Sequence, residues 1–253
     1  MKFVKSTLLI TLLLIGTTIP VFAQKQFKAL LVTTTRGWHH ESIHAGVLAI
    51  QQLATKHYFQ VDLLEDNNGF TDKTLENYQV VIFLNTTGDI FNEQEQKVME
   101  RFIQSGKGFM GIHSASDTEY DWAWYNKLVG RMFVIHPSIQ SARLNVLDAS
   151  FPGLEGFANK KQWTDEWYEF GPDKVEGLKT ILAIDESTYN PNVQWGSKIG
   201  KGMGVFHPIA WYHKFDGGRS FYTNLGHLPT DFSDQTYLNH IVAGIIWAAT
   251  GKQ

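Results

Sequence analysis

The spacing of apolar positions changes along this chain, and each change marks an element. Phe27 to Thr35 is a nearly continuous apolar and β-branched run, and Ile43, Val47, Ile50 and Ala54 then recur at helical spacing, which predicts a strand followed by an amphipathic helix. Phe59 to Leu64 reads as the next strand. After the polar turn Asp66-Asn67-Asn68-Gly69, Tyr78 to Asn85 reads as a third. Asn92 then caps a helix running through Ile103, with Glu95 at the capping-box position, and Gly106 ends it. Phe109 to Ile112 is a fourth, short strand. Strand and helix alternating in this way predict a parallel sheet covered on both faces.

From Gln140 onward the pattern shifts to strand-like pieces, Ala142 to Leu147, Trp163 to Phe170, Leu178 to Ile184 and Met203 to Trp211, separated by Gly- or Pro-containing turns. These predict an antiparallel extension or a set of hairpins. Gly217-Gly218 reads as a turn, Arg219 to Asn224 as a strand and Tyr237 to Ala249 as a mostly apolar closing helix. No repeat, low-complexity linker or charge block marks a second domain. The expectation is one domain over residues 24–253.

Residues 1–23 differ from the rest. Lys2 and Lys5 precede an apolar run from Leu8 to Ile15, and Val21-Phe22-Ala23 supplies a small-residue ending, the pattern of a secretory signal peptide cleaved near Ala23. That run is too short to span a bilayer comfortably, so export to the periplasm or medium is expected, with no membrane anchor. With 22 basic and 25 acidic residues overall, loss of Lys2 and Lys5 leaves 20 against 25, a formal charge of −5. Nucleic acid and anionic lipid are poor partners for such a chain. No cysteine is present, which removes disulfides and thiolate chemistry.

Histidine is the side chain best suited to proton transfer near neutral pH, and it falls where strands end. His39 and His40 follow the first strand, His113 the fourth and His227 the last, so in a parallel sheet all three loops open on one edge. His113 stands at a tight strand-to-turn corner, where the exposed position of an α/β sheet usually carries a nucleophile. Ser114 beside it lacks the G-x-S-x-G frame and ranks below it.

Other patterns are weaker. His40-Glu41-Ser42-Ile43-His44 matches H-E-x-x-H, but no third ligand motif follows, and His44 reads as a core-edge histidine. Asp117, Glu119 and Asp121 alternate like a calcium loop, yet Trp122 and Leu128 occupy positions that such a loop needs as Gly and Glu. Asp117 or Glu119 remains able to orient His113 or hold a sugar hydroxyl. Asp165-Glu166-Trp167-Tyr168 joins carboxylates to amphipathic aromatics, a mixture suited to polyhydroxylated rings. Glu166 and Trp167 share a pocket only if the strand is broken there. His207-Pro208 with Trp211 is a similar pair, and Gly200, Gly202 and Gly204 read as hairpin residues.

Five segments together resemble the ThuA-like (trehalose utilisation) family: Arg36 to Ile43, Gly111 to Asp117, Asp165 to Tyr168, His207 to Trp211 and Gly217 to Tyr222. The resemblance implies a flavodoxin-like three-layer sandwich with a mostly parallel central sheet, as in the class I glutamine amidotransferases, plus the antiparallel extension. Members of that superfamily with glutaminase activity carry a cysteine at the corner held here by His113. Without a thiol no glutamine thioester forms, so glutaminase activity is excluded.

The substrate field implied is trehalose-type glucosides or their 3-keto forms. His113 and His227 are then the expected acid and base, with Glu166 and His40 beside them. Arg36, Trp38, His39, Asp117, Trp122, Trp167, His207 and Trp211 are the expected sugar contacts. A metal-dependent hydrolase or lyase is a variant, with zinc or nickel held by His39 or His40, His113 and His227. A non-catalytic sugar-binding module in which Trp38, Trp122, Trp124, Trp167 and Trp211 stack on rings is the alternative from another class.

Overall fold

A computed structural model describes residues 25–158, 162–171 and 175–253; the signal-peptide reading of residues 1–23 lies outside them. The first half alternates as its periodicity predicts: β1 (Lys28–Val32), α1 (Ser42–Lys56), β2 (Gln60–Leu64), a single turn α2 (Asp72–Leu75), β3 (Val80–Leu84), α3 (Glu93–Gln104) and β4 (Gly108–Ile112). A 3-10 turn, His113–Asp117, leads to α4 (Ala123–Val129). The second half holds β5 (Phe133–Ile135), β6 (Gln140–Val146), α5 (Glu155–Ala158), β7 (Trp163–Asp165), β8 (Glu169–Phe170) and β9 (Lys179–Asp185). Then follow β10 (Val193–Trp195), β11 (Lys198–Gly200), β12 (His207–Phe215), β13 (Gly218–Thr223) and α6 (Gln235–Thr250).

One nine-stranded sheet runs in the order β2-β1-β3-β4-β13-β12-β9-β6-β7. The first five strands in that order are parallel, and the remaining four pair antiparallel. This is the mixed α/β architecture of a flavodoxin-like sandwich with an antiparallel extension. Because β1, β4 and β13 are parallel, their carboxyl ends, and the loops bearing His39, His40, His113 and His227, share one edge.

Period-2 alternation assigns each strand residue to a layer. Ala29 and Leu31 of β1 and Val80, Ile82 and Leu84 of β3 pack with α1 and α6 residues such as Ile50, Leu53, Ile241 and Ile245. Leu30, Val32, Val81 and Phe83 face the other way, toward Met99, Phe102 and Ile103 of α3 and Tyr125 and Leu128 of α4. All five residues of β3 and of β4 are buried, which explains their continuous apolar runs. At the start of α3, Asn92 Oδ1 accepts from Gln94 and Glu95 N–H, and the Glu95 carboxylate accepts from Asn92 N–H, the expected capping box.

Three sequence expectations shift. Trp163 to Phe170 is two short strands in different sheets, broken at Glu166 to Tyr168. The strand foreseen over Met203 to Trp211 starts later, at His207, because residues 201–204 are held by carboxylates rather than by a ladder. The turn before β13 is Asp216-Gly217, both at positive φ (45° and 88°), the two-residue type that suits a twisted hairpin; Gly218 already belongs to the strand.

Gly108 shows how closely α6 approaches the sheet. A Cβ there would sit 1.9 Å from the Ala248 carbonyl oxygen, a backbone atom with no rotamer to yield. Gly108→Ala is therefore expected to cost about 2–3 kcal/mol, the upper part of the overpacking range. Urea denaturation measures it, and a loss below about 0.5 kcal/mol would show that α6 gives way easily.

Candidate functional site

His113 follows β4 directly and has φ +51°, a left-handed conformation that costs energy for any residue with a Cβ. Two contacts hold it there. Its Nδ1 lies 2.7 Å from the Asn224 carbonyl oxygen, and the Tyr222 hydroxyl donates to the His113 carbonyl at 2.7 Å. A carbonyl only accepts, so Nδ1 carries the proton and Nε2 presents a lone pair, the arrangement that makes imidazole a ligand or a base. That Nε2 faces the Tyr168 hydroxyl at 2.8 Å, His227 Nδ1 at 3.2 Å and Glu166 Oε2 at 3.4 Å.

The break between β7 and β8 explains how Glu166 arrives. Asp165, fully buried, accepts from the backbone N–H of Glu166 (2.8 Å), Gly226 (3.0 Å) and His227 (3.3 Å). One carboxylate thus ties the Glu166 turn to the loop after β13. Glu166 Oε2 then reaches His227 Nδ1 at 3.1 Å, and Oε1 reaches His136 Nδ1 at 3.3 Å. His40 completes the group: its Nδ1 is 3.3 Å from Ser114 Oγ, and its ring lies 4.9 Å from that of His113 and 5.3 Å from that of His227.

One donor atom from each of His40, His113, Glu166 and His227 falls within 4.8 Å of all the others. Three imidazoles and a carboxylate are a borderline donor set suited to zinc or nickel. An ion about 2.1 Å from each ligand of a tetrahedron holds those ligands about 3.4 Å apart. The separations of 3.1, 3.2 and 3.4 Å among His113, Glu166 and His227 match that spacing. The residues present therefore fit a divalent ion.

Electrostatics favour a neutral His40 and an ionised Glu166, and place on His227 a proton that an ion would have to displace. Burial, then the neighbouring imidazoles of His113 and His227, push the His40 pKa down to about 2, so its ring stays neutral. Burial opposes ionisation of Glu166, but the surrounding imidazoles, with His227 donating to the carboxylate at 3.1 Å, outweigh it and hold the carboxyl well below its ordinary range. Burial likewise opposes charge on His227, and the Glu166 carboxylate overcomes it and raises that pKa. Tyr168 is pushed far up, first by burial and then by the surrounding carboxylates, so it keeps its proton as a donor.

Outside this centre lies a cleft of about 440 Å³, lined by His40, Glu166, Tyr168 and His227 together with Trp38, Asp117, Phe133, His136 and Trp195. Other expected contacts lie elsewhere. Trp122, Trp167 and Trp211 are buried in the interior, their indole N–H groups donating to Glu100 and to the carbonyls of Gln140 and Val129. His207 is also buried, between Glu186 and the Tyr168 carbonyl, where it steadies Tyr168 from behind. His39 and Arg36 are exposed and do not line the cleft; His39 meets Thr35, leaving His40 as the histidine of that pair in the cluster.

The H-E-x-x-H reading separates into unrelated parts, because Glu41 and His44 are exposed and outside the cluster; His44 is not a core-edge residue. Glu119 is spent on Phe91 N–H and Gln96, whereas Asp117 faces the cleft and accepts from Tyr120. The sequence reading missed His136 as a site residue, although it ends a strand and precedes a proline as a visible signal. Phe133 and Trp195 were not foreseen either, and for Trp195 nothing in the pattern marks it, whereas Tyr168 of the Asp165-Glu166-Trp167-Tyr168 motif does line the cleft.

A family model described as ThuA, trehalose utilisation, matches residues 28–248. Among solved structures, one described as a ThuA-like protein from Bacteroides uniformis superposes with TM-score 0.72 at 21% identity, covering 94% of this chain and 97% of that one. A second, described in the same way and from Parabacteroides merdae, gives 0.65 at 21% identity over 89% and 91%. A cytoplasmic protein from Salmonella typhimurium gives 0.56 at 8% identity over 86% and 96%. A search of functionally curated proteins finds no match.

Proposed function

The chain belongs to the ThuA, trehalose utilisation, family, and from that premise we propose that it is an exported, metal-dependent enzyme acting on trehalose-type glucosides or their 3-keto derivatives, as a hydrolase or lyase. The working unit is a single domain over residues 24–253, freed of its leader near Ala23. The observation that carries this reading is the convergence of four donor atoms within 4.8 Å at the floor of the cleft.

His40, His113, Glu166 and His227 would hold zinc or nickel. Such an ion supplies Lewis-acid polarisation of a sugar oxygen and acidifies water. The chain's own groups do the rest. Tyr168 donates a hydrogen bond from a phenol that burial keeps protonated. Asp117 and His136 offer polar contacts to sugar hydroxyls from the cleft wall, and Trp38 offers an apolar face. Among the described residues no helix is long and apolar enough to cross a membrane.

A metal-free acid/base enzyme is the second reading. The 3.1 Å pair of His227 and Glu166, with the imidazole pKa raised and the carboxyl lowered, is a proton store beside His113 Nε2. A 3-keto group acidifies the neighbouring C–H, so such a pair suffices for isomerisation or elimination. Elemental analysis of protein purified without chelators decides between them. About one zinc or nickel per chain is expected, with turnover of trehalose or 3-ketotrehalose lost on chelation and restored by the ion. Substoichiometric metal with turnover surviving chelation would hand the site to the acid/base reading.

A further inference from the structure

Two tryptophans that line the cleft are left open to solvent: Trp38 is 70% exposed and Trp195 43%. They come from unrelated parts of the chain. Trp38 precedes His40 in the loop after β1, and Trp195 ends β10 in the small hairpin with β11. Trp195 stands perpendicular to His136, with ring centroids 4.6 Å apart, and 6.1 Å from Phe133.

The hairpin is not free to drift. Glu169 accepts from the backbone N–H groups of Lys201 and Gly202, each at 2.8 Å, and Glu186 accepts from those of Met203 and Gly204. Two carboxylates therefore fix four successive amides just beyond β11. Immobilising each backbone residue costs about 1–2 kcal/mol of conformational entropy. That cost goes into a peripheral hairpin that makes no pairing with the main sheet and whose one side chain in the cleft is Trp195.

We infer that Trp195, with Trp38, forms an aromatic clamp selecting glycosides of at least two rings, one ring reaching the histidine centre and the next resting on the indoles. The inference rests on the sugar reading above and deepens it. Pyranose rings present apolar C–H faces, which stack on indole, while their hydroxyls remain in water at an open rim. The cleft, about 440 Å³, has room for more than one ring.

Isothermal titration of the zinc-loaded protein with trehalose and with methyl α-glucoside tests this. Trp195→Ala is expected to weaken trehalose binding roughly tenfold, an aromatic-contact-sized effect, and to leave methyl α-glucoside within about twofold. Trp195→Phe should restore most of the loss. Equal losses for both sugars, no loss for either, failure of Phe to rescue, or a wild type that binds neither sugar would each overturn the clamp. Zinc content of the same samples reports separately on the metal centre, so a clamp that fails beside an intact ion is told apart from a failed centre.

Discussion

His113→Ala is expected to weaken zinc binding by at least about 100-fold, because loss of an outer-shell partner alone costs 10–100-fold and His113 offers a ligand atom itself. Turnover should fall with it. The complication is that His113 is fully buried and bonded to Asn224 and Tyr168, so truncation also leaves a void. His113→Gly separates the two effects. At φ +51° alanine keeps the left-handed strain and glycine does not, so the glycine variant should unfold about 1 kcal/mol later than the alanine variant. Both should lose the ion equally. Titration of zinc into each, beside urea denaturation, reads the two quantities; wild-type zinc affinity in either variant would remove His113 from the ligand set.

The histidines at strand ends were legible because parallel strands impose a rule that needs no partner information. A buried apolar run ending in a polar residue puts that residue at the carboxyl edge, and His40, His113 and His227 meet there. Glu166 was legible by type, though its meeting with the three histidines depended on a break in the strand that period-2 alternation alone does not reveal.

The antiparallel half hid more. His136 and Trp195 reach the cleft through β5 and the β10–β11 hairpin, which pair outside the main sheet, and no hydrophobic period records that placement. Trp122, Trp167 and Trp211 illustrate the converse difficulty. Indole is apolar with one donor, so the same side chain suits a sugar platform or an interior position with a carbonyl to meet it. Only burial distinguishes the two.

Beneath the site, Asp165 and Asp231 form a buried acid pair whose expected signature is a stability that falls as pH rises. Burial, then the charge of Asp165, pushes the Asp231 pKa from 3.8 up to about 9, and Asp231 is hydrogen-bonded to Asp165. Asp165 accepts three backbone N–H bonds and Asp231 accepts one, from Leu228, so the proton resides on Asp231. Between those two pKa values the folded chain binds one more proton than the unfolded chain. Stability therefore declines from about pH 4 to about pH 9 on account of this group, opposite to an ordinary paired carboxylate.

Histidines held neutral by burial, such as His40 and His240, give the reverse slope only below their unfolded pKa near 6.5, whereas His227, whose pKa is raised, adds a decline of the same sign above it, so the part of the pH 7 to 9 decline that belongs to Asp231 is the part its substitution removes. Asp231→Asn keeps a donor toward Asp165 and an acceptor for Leu228 N–H, so it should flatten the decline and be more stable than wild type at pH 9. Asp165→Ala strips three buried or half-buried N–H groups of their acceptor and should cost at least about 3 kcal/mol at any pH. Urea midpoints at pH 7, 8 and 9 measure both. Parallel pH profiles for wild type and Asp231→Asn would mean that no proton is shared, and that the loop carrying His227 is held by Asp165 alone.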